Sequence, residues 1–200
     1  FMCESLLDLN KQLNNKLNFF YGNYLTIIKN LKKKYKITDI YTNTDYTPYA
    51  IKRDKQIFKL CKKININFHI FHDICLIPPD KIKNQQKKYY QKFTPFYKQY
   101  LQLNISKPVK IKINLNKVKK LNIKKIDINK FYKNNKSINV NGGRILGLQY
   151  LKKLKNFKNY KIIRNKLNLE TTHLSAYLKF GCISIREVYN FLLKKFNKKH

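Results

Sequence analysis

Cysteines, acidic residues and long apolar runs are scarce in this sequence, and tryptophan is absent. The cysteines, Cys3, Cys61, Cys75 and Cys182, form no C-x-x-C pair and no spacing typical of a zinc site or a disulfide framework, which favours a reducing setting. No apolar run approaches the roughly 20 residues of a membrane span, and no charged-then-apolar signal peptide opens the chain. We therefore expect a soluble, intracellular protein, in a cytoplasm or a nucleus, without a membrane partner.

Basic residues far outnumber acidic ones, with 44 Lys and Arg against 10 Asp and Glu and a formal charge of +34. Such a charge would attract any polyanion and give salt-dependent binding to nucleic acid. The same excess arises when an AT-rich genome inflates Lys, Asn and Ile together, so the charge leaves both explanations open. Because 43% of the residues are hydrophobic and 14% aromatic, we expect the chain to fold into one domain or parts of two.

The first part of the chain alternates helical and strand patterns. Leu6, Leu9, Leu13 and Leu17 fall on one face of a predicted helix, and residues 19–21 predict a short buried strand that Gly22 closes. Further helices are predicted at 24–34 and 51–64, and strands at 39–42 and 67–71. Strands that are separated by a helix pair in parallel, so this part is predicted to be α/β and doubly wound in style.

The alternation stops after Pro78 and Pro79, and residues 81–140 are predicted to form a connector with an aromatic island at 93–97. Its apolar alternation at Val109, Ile111 and Ile113 fits an edge strand or an extended linker equally well. From Gly142 and Gly143 onward the pattern is helical, which predicts a second, all-helical region. Residues 184–187 have capping-box spacing, and a last helix with a strongly apolar face follows them.

A short segment, residues 171–181, predicts a helix of about two turns that ends at Gly181. Thr171, Thr172 and Ser175 place hydroxyls at the predicted start of this helix, beside backbone N–H groups that have no partner within it. The arrangement fits a phosphate site. It also fits ordinary helix capping, which Thr and Ser perform in many proteins.

The same segment resembles the flavin-diphosphate motif of the photolyase and cryptochrome family, T-S-x-L-S-P-Y-L-x-F-G, with Ala176 where proline is common. Further landmarks of that family follow one another in the family's order over nearly the whole chain. They are residues 41–49 with Arg53 and Asp54; residues 71–73 with Leu76, Pro78 and Pro79; residues 93–97; Gly142 and Gly143 with Leu148 and Leu151; and Tyr160 with Arg164. The order and the number of these landmarks favour the family over coincidence.

The resemblance implies a partial parallel-sheet antenna domain at 1–92, an interdomain connector at 93–140, and the start of an all-α FAD-binding domain at 141–200. It further implies that FAD phosphates are held by Tyr160, Thr171, Thr172, His173 through its backbone, Leu174 and Ser175. Arg164 would contact the DNA backbone near a lesion, although a solvated helix arginine explains it equally well. The motif names no catalytic residue and no metal ligand in this chain.

The activity implied by the resemblance is that of deoxyribodipyrimidine photolyase, a carbon–carbon lyase. In that family reduced FAD, excited by light, passes an electron to a pyrimidine dimer that has been flipped out of the DNA. A cryptochrome-like light sensor without repair activity is the first alternative. The second is an inactive relic that acts only as a basic DNA-binding fragment. The sequence also leaves open that a second chain supplies the rest of the FAD domain.

The departures from the family pattern concern both ends of the chain and the antenna region. The first strand and helix of the antenna domain are not found before Phe1, and the later FAD and lesion contacts would lie beyond His200. Tyr49 and Ala50 stand where folate-binding members commonly carry Asn and Glu, so folate is not predicted and the antenna chromophore stays open.

Other polar residues of the first part are assigned to structure. His69 and His72 are predicted to point to opposite faces of a strand, which favours packing or surface roles over a shared metal. Asp45, Asp54 and Asp73 are expected to have structural roles as well.

Overall fold

The computed structural model describes residues 1–109, 113–123, 126–133, 135 and 137–196. It divides the chain into two compact units: the α/β unit, residues 20–105, and the helical unit, residues 1–19 together with the chain from residue 106 onward. The regular elements are α1 (Met2–Gln12), α2 (Tyr24–Tyr35), β1 (Asp39–Asn43), α3 (Pro48–Lys63), β2 (Asn67–Phe71), α4 (Phe93–Leu101), α5 (Arg144–Lys153), α6 (Tyr160–Ile163), α7 (Ser175–Lys179) and α8 (Ile185–Phe196). Among the described residues, none of the helices combines the length and apolarity that crossing a membrane requires.

The α/β unit confirms the predicted parallel pairing. β1 and β2 run side by side in parallel, with Asp39 opposite Asn67 and Asn43 opposite Phe71, and α3 forms the crossover between them. Asn23 caps α2, and Thr47 caps α3 with a proline in its first turn. The core contains Ile28, Leu60, Cys61 and Ile66. The helices predicted at 24–34 and 51–64 and the strands predicted at 39–42 and 67–71 are confirmed within a few residues at each end.

The start of the chain differs from the sequence prediction in two places. α1 ends at Gln12, because Asn14 and Asn15 adopt left-handed backbone angles (φ 49° and 58°) that stop a helix; Leu17 therefore lies outside it. The strand predicted at 19–21 was wrong, since Phe20 and Tyr21 are exposed and irregular. An extended segment becomes a strand only where a neighbouring strand accepts its hydrogen bonds.

The connector contains more helix than the sequence predicted. Its aromatic island forms the first turns of α4, where the Phe93 and Tyr97 rings stack at 5.5 Å. Aromatic pairs four residues apart stabilise a helix. The helix was not predicted because the segment around it is rich in Lys and Asn. Val109 and Ile113 lie in irregular backbone, and Ile111 lies outside the described residues.

In the helical unit, two carboxylates of α1 cap the N-terminus of α5. The Glu4 carboxylate accepts a hydrogen bond from the Gly142 N–H (2.6 Å), and the Asp8 carboxylate accepts one from the Arg144 N–H (2.8 Å). Carboxylates stabilise the N-terminus of a helix because its first N–H groups have no partner within the helix. The core behind this contact consists of Leu151, Leu154, Leu174, Tyr177, Cys182, Ile183 and Val188. The domain limits at 92 and 140 stay a prediction.

Candidate functional site

A cavity of about 740 Å³ lies in the helical unit, between the segment that follows α5 and the faces of α7 and α8. Its polar lining comes from a lysine, a tyrosine and two hydroxyl residues, and the rest is apolar. The lining residues are Leu154, Phe157, Lys158, Tyr160, Thr172, Leu174, Ser175, Leu178, Val188, Leu192 and Phe196. A mostly apolar cavity with a few convergent polar groups, of about 300–1,000 Å³, is the usual form of a small-molecule site.

The cavity brings together part of the predicted FAD-binding set. Tyr160, Thr172, Leu174 and Ser175 line it, although 12 positions separate Tyr160 from Thr172 in the sequence. Thr171 and His173 belong to the same segment but are not among the lining residues.

The helix predicted over residues 171–181 was too long. α7 has five residues, starts after Leu174 and has no side-chain cap hydrogen bond. His173 interrupts it with a left-handed backbone angle (φ 50°), so Thr171 and Thr172 precede the helix and do not cap it. The predicted glycine end is confirmed, since Gly181 follows α7 at φ 67°. Ordinary capping therefore does not account for the two threonines.

Tyr177 fixes α7 to the core of the unit. Its side chain is fully buried, and its hydroxyl donates to the Asn141 carbonyl oxygen at 2.7 Å. Its ring contacts those of Phe1 (5.0 Å, edge on) and Tyr150 (5.5 Å). Burial raises the pKa of Tyr177 to about 12, so the hydroxyl stays a donor at neutral pH. Leu174 and Ser175, three and two residues before Tyr177, are thereby held at the cavity.

The predicted role of His173 in FAD binding concerns its backbone, and its side chain makes contacts of its own. Its ring meets Tyr150 edge on, at 5.8 Å, and its Nε2 lies 3.5 Å from Oε1 of Glu170. These contacts hold the turn that carries Thr172 into the cavity lining. The sequence prediction for His173 concerned its backbone alone and stays a prediction.

α8 forms the apolar wall of the cavity, and its start is fixed by the predicted capping box. The Ser184 N–H donates to Glu187 (2.8 Å), and the Ser184 hydroxyl accepts from the Arg186 N–H (3.2 Å). The Arg144 guanidinium donates to both Glu187 oxygens (2.6 and 3.1 Å) and to the Cys182 carbonyl (3.0 Å). The hydrogen bond from Arg144 lowers the pKa of Glu187. Arg144 thus connects α5 to α8.

Sequence reasoning missed Arg144 and several lining residues. Lys158 is the cation of the lining, and no local pattern of the sequence sets it apart from the other lysines. Arg164, which was predicted to contact DNA, follows α6 directly, is exposed and does not line the cavity. An exposed arginine at the end of a one-turn helix can reach a phosphate outside the cavity.

His69 lies in β2 as predicted, whereas His72, predicted in the same strand, follows its last residue; both histidines and Asp54 have packing or surface contacts. His69 Nε2 lies 2.8 Å from Asp39 Oδ1, and the Tyr46 hydroxyl lies 2.9 Å from His72 Nδ1. Asp54 is buried and accepts from Arg53 at 2.8 Å.

The structure also shows the surroundings of Asp45 and of Tyr49 and Ala50. Asp45 accepts a hydrogen bond from the Thr47 N–H (3.0 Å), a turn contact that precedes α3. At the position discussed for folate, Ala50 is buried in α3 and Tyr49 is 70% exposed.

Residues 1–112 match the family model described as DNA photolyase. The chain belongs to the DNA photolyase family. Two curated members of the family are deoxyribodipyrimidine photo-lyases. The one from Buchnera aphidicola subsp. Baizongia pistaciae is 36% identical in an alignment of 177 positions that covers 82% of this chain and 36% of the relative. The one from Alkalihalophilus pseudofirmus is 26% identical in an alignment of 167 positions that covers 79% of this chain and 35% of the relative. The chain therefore spans about a third of the length of these photolyases.

Solved structures of the family are similar over nearly the whole chain. A bacterial class III photolyase from Agrobacterium tumefaciens has a TM-score of 0.82 at 18% identity, over 96% of this chain and 43% of its own. A cryptochrome from Synechocystis has a TM-score of 0.78 at 19% identity, over 98% and 44%. An archaeal photolyase from Sulfolobus tokodaii, solved with two FAD molecules, has a TM-score of 0.71 at 26% identity, over 100% and 47%. The predicted fold class, with a partial α/β domain, is confirmed.

Proposed function

We propose that this chain is part of a photolyase-type flavoprotein that binds FAD in the cavity of the helical unit and, in the complete protein, repairs pyrimidine dimers with light. The observation that carries the proposal is the convergence of Tyr160, Thr172, Leu174 and Ser175 on one cavity in a chain of the DNA photolyase family. Thr172, Leu174 and Ser175 belong to the segment that resembles the flavin-diphosphate motif, and Tyr160 lies outside that segment.

The chemistry of the lining fits the two ends of FAD. The hydroxyls of Thr172 and Ser175 can donate hydrogen bonds to phosphate oxygens, and the Lys158 ammonium supplies positive charge. The apolar side chains of Leu178 and Phe196 suit a flat aromatic ring system. We propose that the FAD phosphates are held by Tyr160, Thr171, Thr172, the His173 backbone, Leu174 and Ser175.

In this proposal, bound and reduced FAD supplies the light-excited electron that splits the dimer. The residues of this chain bind and orient the cofactor and exclude water from one side of it, while Arg164 contacts the DNA backbone. The charge of +34 attracts the DNA at long range. Damaged bases are the least costly to flip out of the stack, which favours binding at a lesion.

We also propose that the remaining part of the helical domain, on this polypeptide or on a second chain, completes the FAD site. The support is the length comparison, because the chain spans 36% of the photolyase to which it is 36% identical. The apolar faces of Leu192 and Phe196 in the cavity wall are suited to packing against further helices.

A light-dependent repair assay tests the proposal. The chain, completed by the missing part of the helical domain from a photolyase relative, is loaded with FAD, reduced and mixed with an oligonucleotide that contains one cyclobutane pyrimidine dimer. We expect dimers to disappear in blue light and to persist in the dark. Bound flavin with intact dimers would overturn repair in favour of a light sensor, and a completed protein that binds no flavin would overturn the whole proposal.

A further inference from the structure

We propose that the exposed face of α3 in the α/β unit binds the phosphate backbone of nucleic acid, without regard to sequence or lesion. Five lysines of this helix define the surface, which we call the lysine stripe: Lys52, Lys55, Lys59, Lys62 and Lys63. All five are exposed. At about 100° per residue they fall within an arc of roughly 100° on one side of the helix.

The face of α3 that carries the stripe has no acidic side chain. The one acidic residue of α3, Asp54, is buried on the opposite side of the helix and accepts a hydrogen bond from Arg53 at 2.8 Å. The rest of that side, Ala50, Leu60 and Cys61, packs into the unit. The stripe therefore presents positive charge that its own helix does not neutralise.

Part of the stripe borders a shallow, open depression on the surface of α3. The depression has a volume of about 530 Å³ and is lined by Pro48, Ile51, Lys52, Lys55, Gln56 and Lys59. Gln56 accepts a hydrogen bond from the Tyr24 hydroxyl of α2. Lysine stems cover apolar surface while their ammonium groups stay in water, so the charge of the stripe is presented to the solvent.

The dimensions of the stripe fit a nucleic-acid strand. From Lys52 to Lys63 the helix rises about 17 Å, at roughly 1.5 Å per residue. One strand of a DNA duplex carries a phosphate about every 3.4 Å of helix rise, so the stripe spans about five phosphates. Lysine ammonium groups on flexible stems adapt to such a row of charges.

An anionic membrane fits this surface less well. Helices that lie on membranes insert an apolar face beside their basic one. In α3, Leu60 and Cys61 are buried in the core of the unit, whereas Ile51 and Phe58 are exposed beside the stripe. Two exposed apolar side chains form a small face for insertion into a membrane, whereas a row of five lysines matches the charges of a phosphodiester backbone.

The test measures the binding of the full chain to an undamaged 20-base-pair DNA duplex by fluorescence anisotropy over a range of salt concentrations. The test variant combines Lys52→Gln, Lys55→Gln, Lys59→Gln and Lys62→Gln. The control combines Lys11→Gln, Lys29→Gln, Lys33→Gln and Lys88→Gln, which removes the same charge from exposed lysines outside the stripe. Gln is nearly as good a helix former as Lys, so both variants should keep the circular dichroism spectrum and melting temperature of the parent.

We expect the test variant to bind about tenfold more weakly or worse at low salt, and its slope of log K against log salt to fall by about 3 to 4. The control should keep most of the parent affinity and slope. Equal losses in the two variants would overturn the inference in favour of net charge, and unchanged binding in the test variant would overturn it outright. Tighter binding to phosphatidylserine vesicles than to the duplex, lost in the same variant, would also contradict it. The assay needs no flavin and no lesion, so its failure would leave the proposed repair function untouched.

Discussion

Two hydroxyls of the cavity, those of Thr172 and Ser175, carry the proposed contact with FAD phosphates. A hydrogen bond to a charged group is worth about 1.5–3 kcal/mol, and about 1.4 kcal/mol corresponds to a factor of ten in affinity. We therefore predict that Thr172→Val and Ser175→Ala each weaken FAD binding by the completed protein about tenfold. Thr26→Val, on the exposed side of α2 in the α/β unit, is the matched control. Equal FAD affinity in all three variants, measured by fluorescence titration, would exclude the two hydroxyls from the site.

Gly142 stands where α1 meets the start of α5, and no side chain fits there. A Cβ at this position would lie 2.0 Å from the Phe1 carbonyl oxygen and 2.5 Å from the Ser5 hydroxyl. We predict that Gly142→Ala lowers the free energy of unfolding by about 3 kcal/mol, the upper part of the range for overpacking. At Gly181 a Cβ meets open space, and only the left-handed φ of 67° opposes it.

The comparison variant Gly181→Ala should therefore cost less, about 1 kcal/mol. Urea denaturation followed by circular dichroism measures both. A smaller loss at Gly142 than at Gly181 would contradict the close contact between α1 and the start of α5.

Because of Asp39, the stability of the α/β unit should fall as the pH becomes acidic. The hydrogen bond from His69 is the main cause that lowers the pKa of Asp39 from 3.8 to about 2. Because this pKa is lower in the folded state, the contribution is fully present well above pH 3.8 and is lost as the pH falls toward 2. Asp39→Asn should therefore reduce the acid dependence of unfolding between about pH 5 and 2. Identical pH profiles for the variant and the parent would show that the pair does not form.

At the scale of elements, α8 depends on Glu187 in two ways, as a capping residue and as the partner of Arg144. Glu187→Gln keeps an acceptor for the Ser184 N–H but removes the ion pair, so we predict a loss of about 0.5–1 kcal/mol in unfolding free energy. Glu187→Ala removes both contacts and should cost about 1 kcal/mol more. Thermal denaturation of the two variants checks the order, and equal losses would show that the cap contributes nothing.

The elements that the sequence predicted well are those fixed by local pattern. The spacing of apolar residues in α2 and α3, and the capping box before α8, depend on residues within a few positions of one another. The failures depend on distant partners or on single backbone angles. The strand at 19–21 would need a neighbouring strand, and the limits of α1 and α7 are set by left-handed angles at Asn14 and His173.

The candidate site was predictable to the extent that its residues belong to one motif. Thr172, Leu174 and Ser175 came from the family motif, and the structure places them at one cavity with Tyr160. The contribution of Lys158 was not predictable. Its position in the lining depends on how the segment between α5 and α6 packs against α7 and α8, which periodicity does not specify. The same holds for Arg144, which reaches Glu187 across 43 positions of the chain.

At the scale of the whole molecule, charge and family membership support the same partner. A charge of +34 would attract polyanions such as DNA at long range, and the chain belongs to the DNA photolyase family. The lysine stripe on the α/β unit and the cavity of the helical unit would then have separate tasks. The stripe would hold undamaged DNA, and the FAD site would act on the lesion.

The central claim, that the helical unit contributes a FAD site, is tested most directly by the flavin absorbance of the purified protein. The chain is purified alone and also after co-expression with a polypeptide that contains the rest of the helical domain of a photolyase relative. We predict a yellow co-expressed complex that shows the blue-light absorption band of flavin, and loss of that band when Thr172→Val and Ser175→Ala are combined. A colourless protein in both preparations, after FAD has been supplied during purification, would contradict the claim.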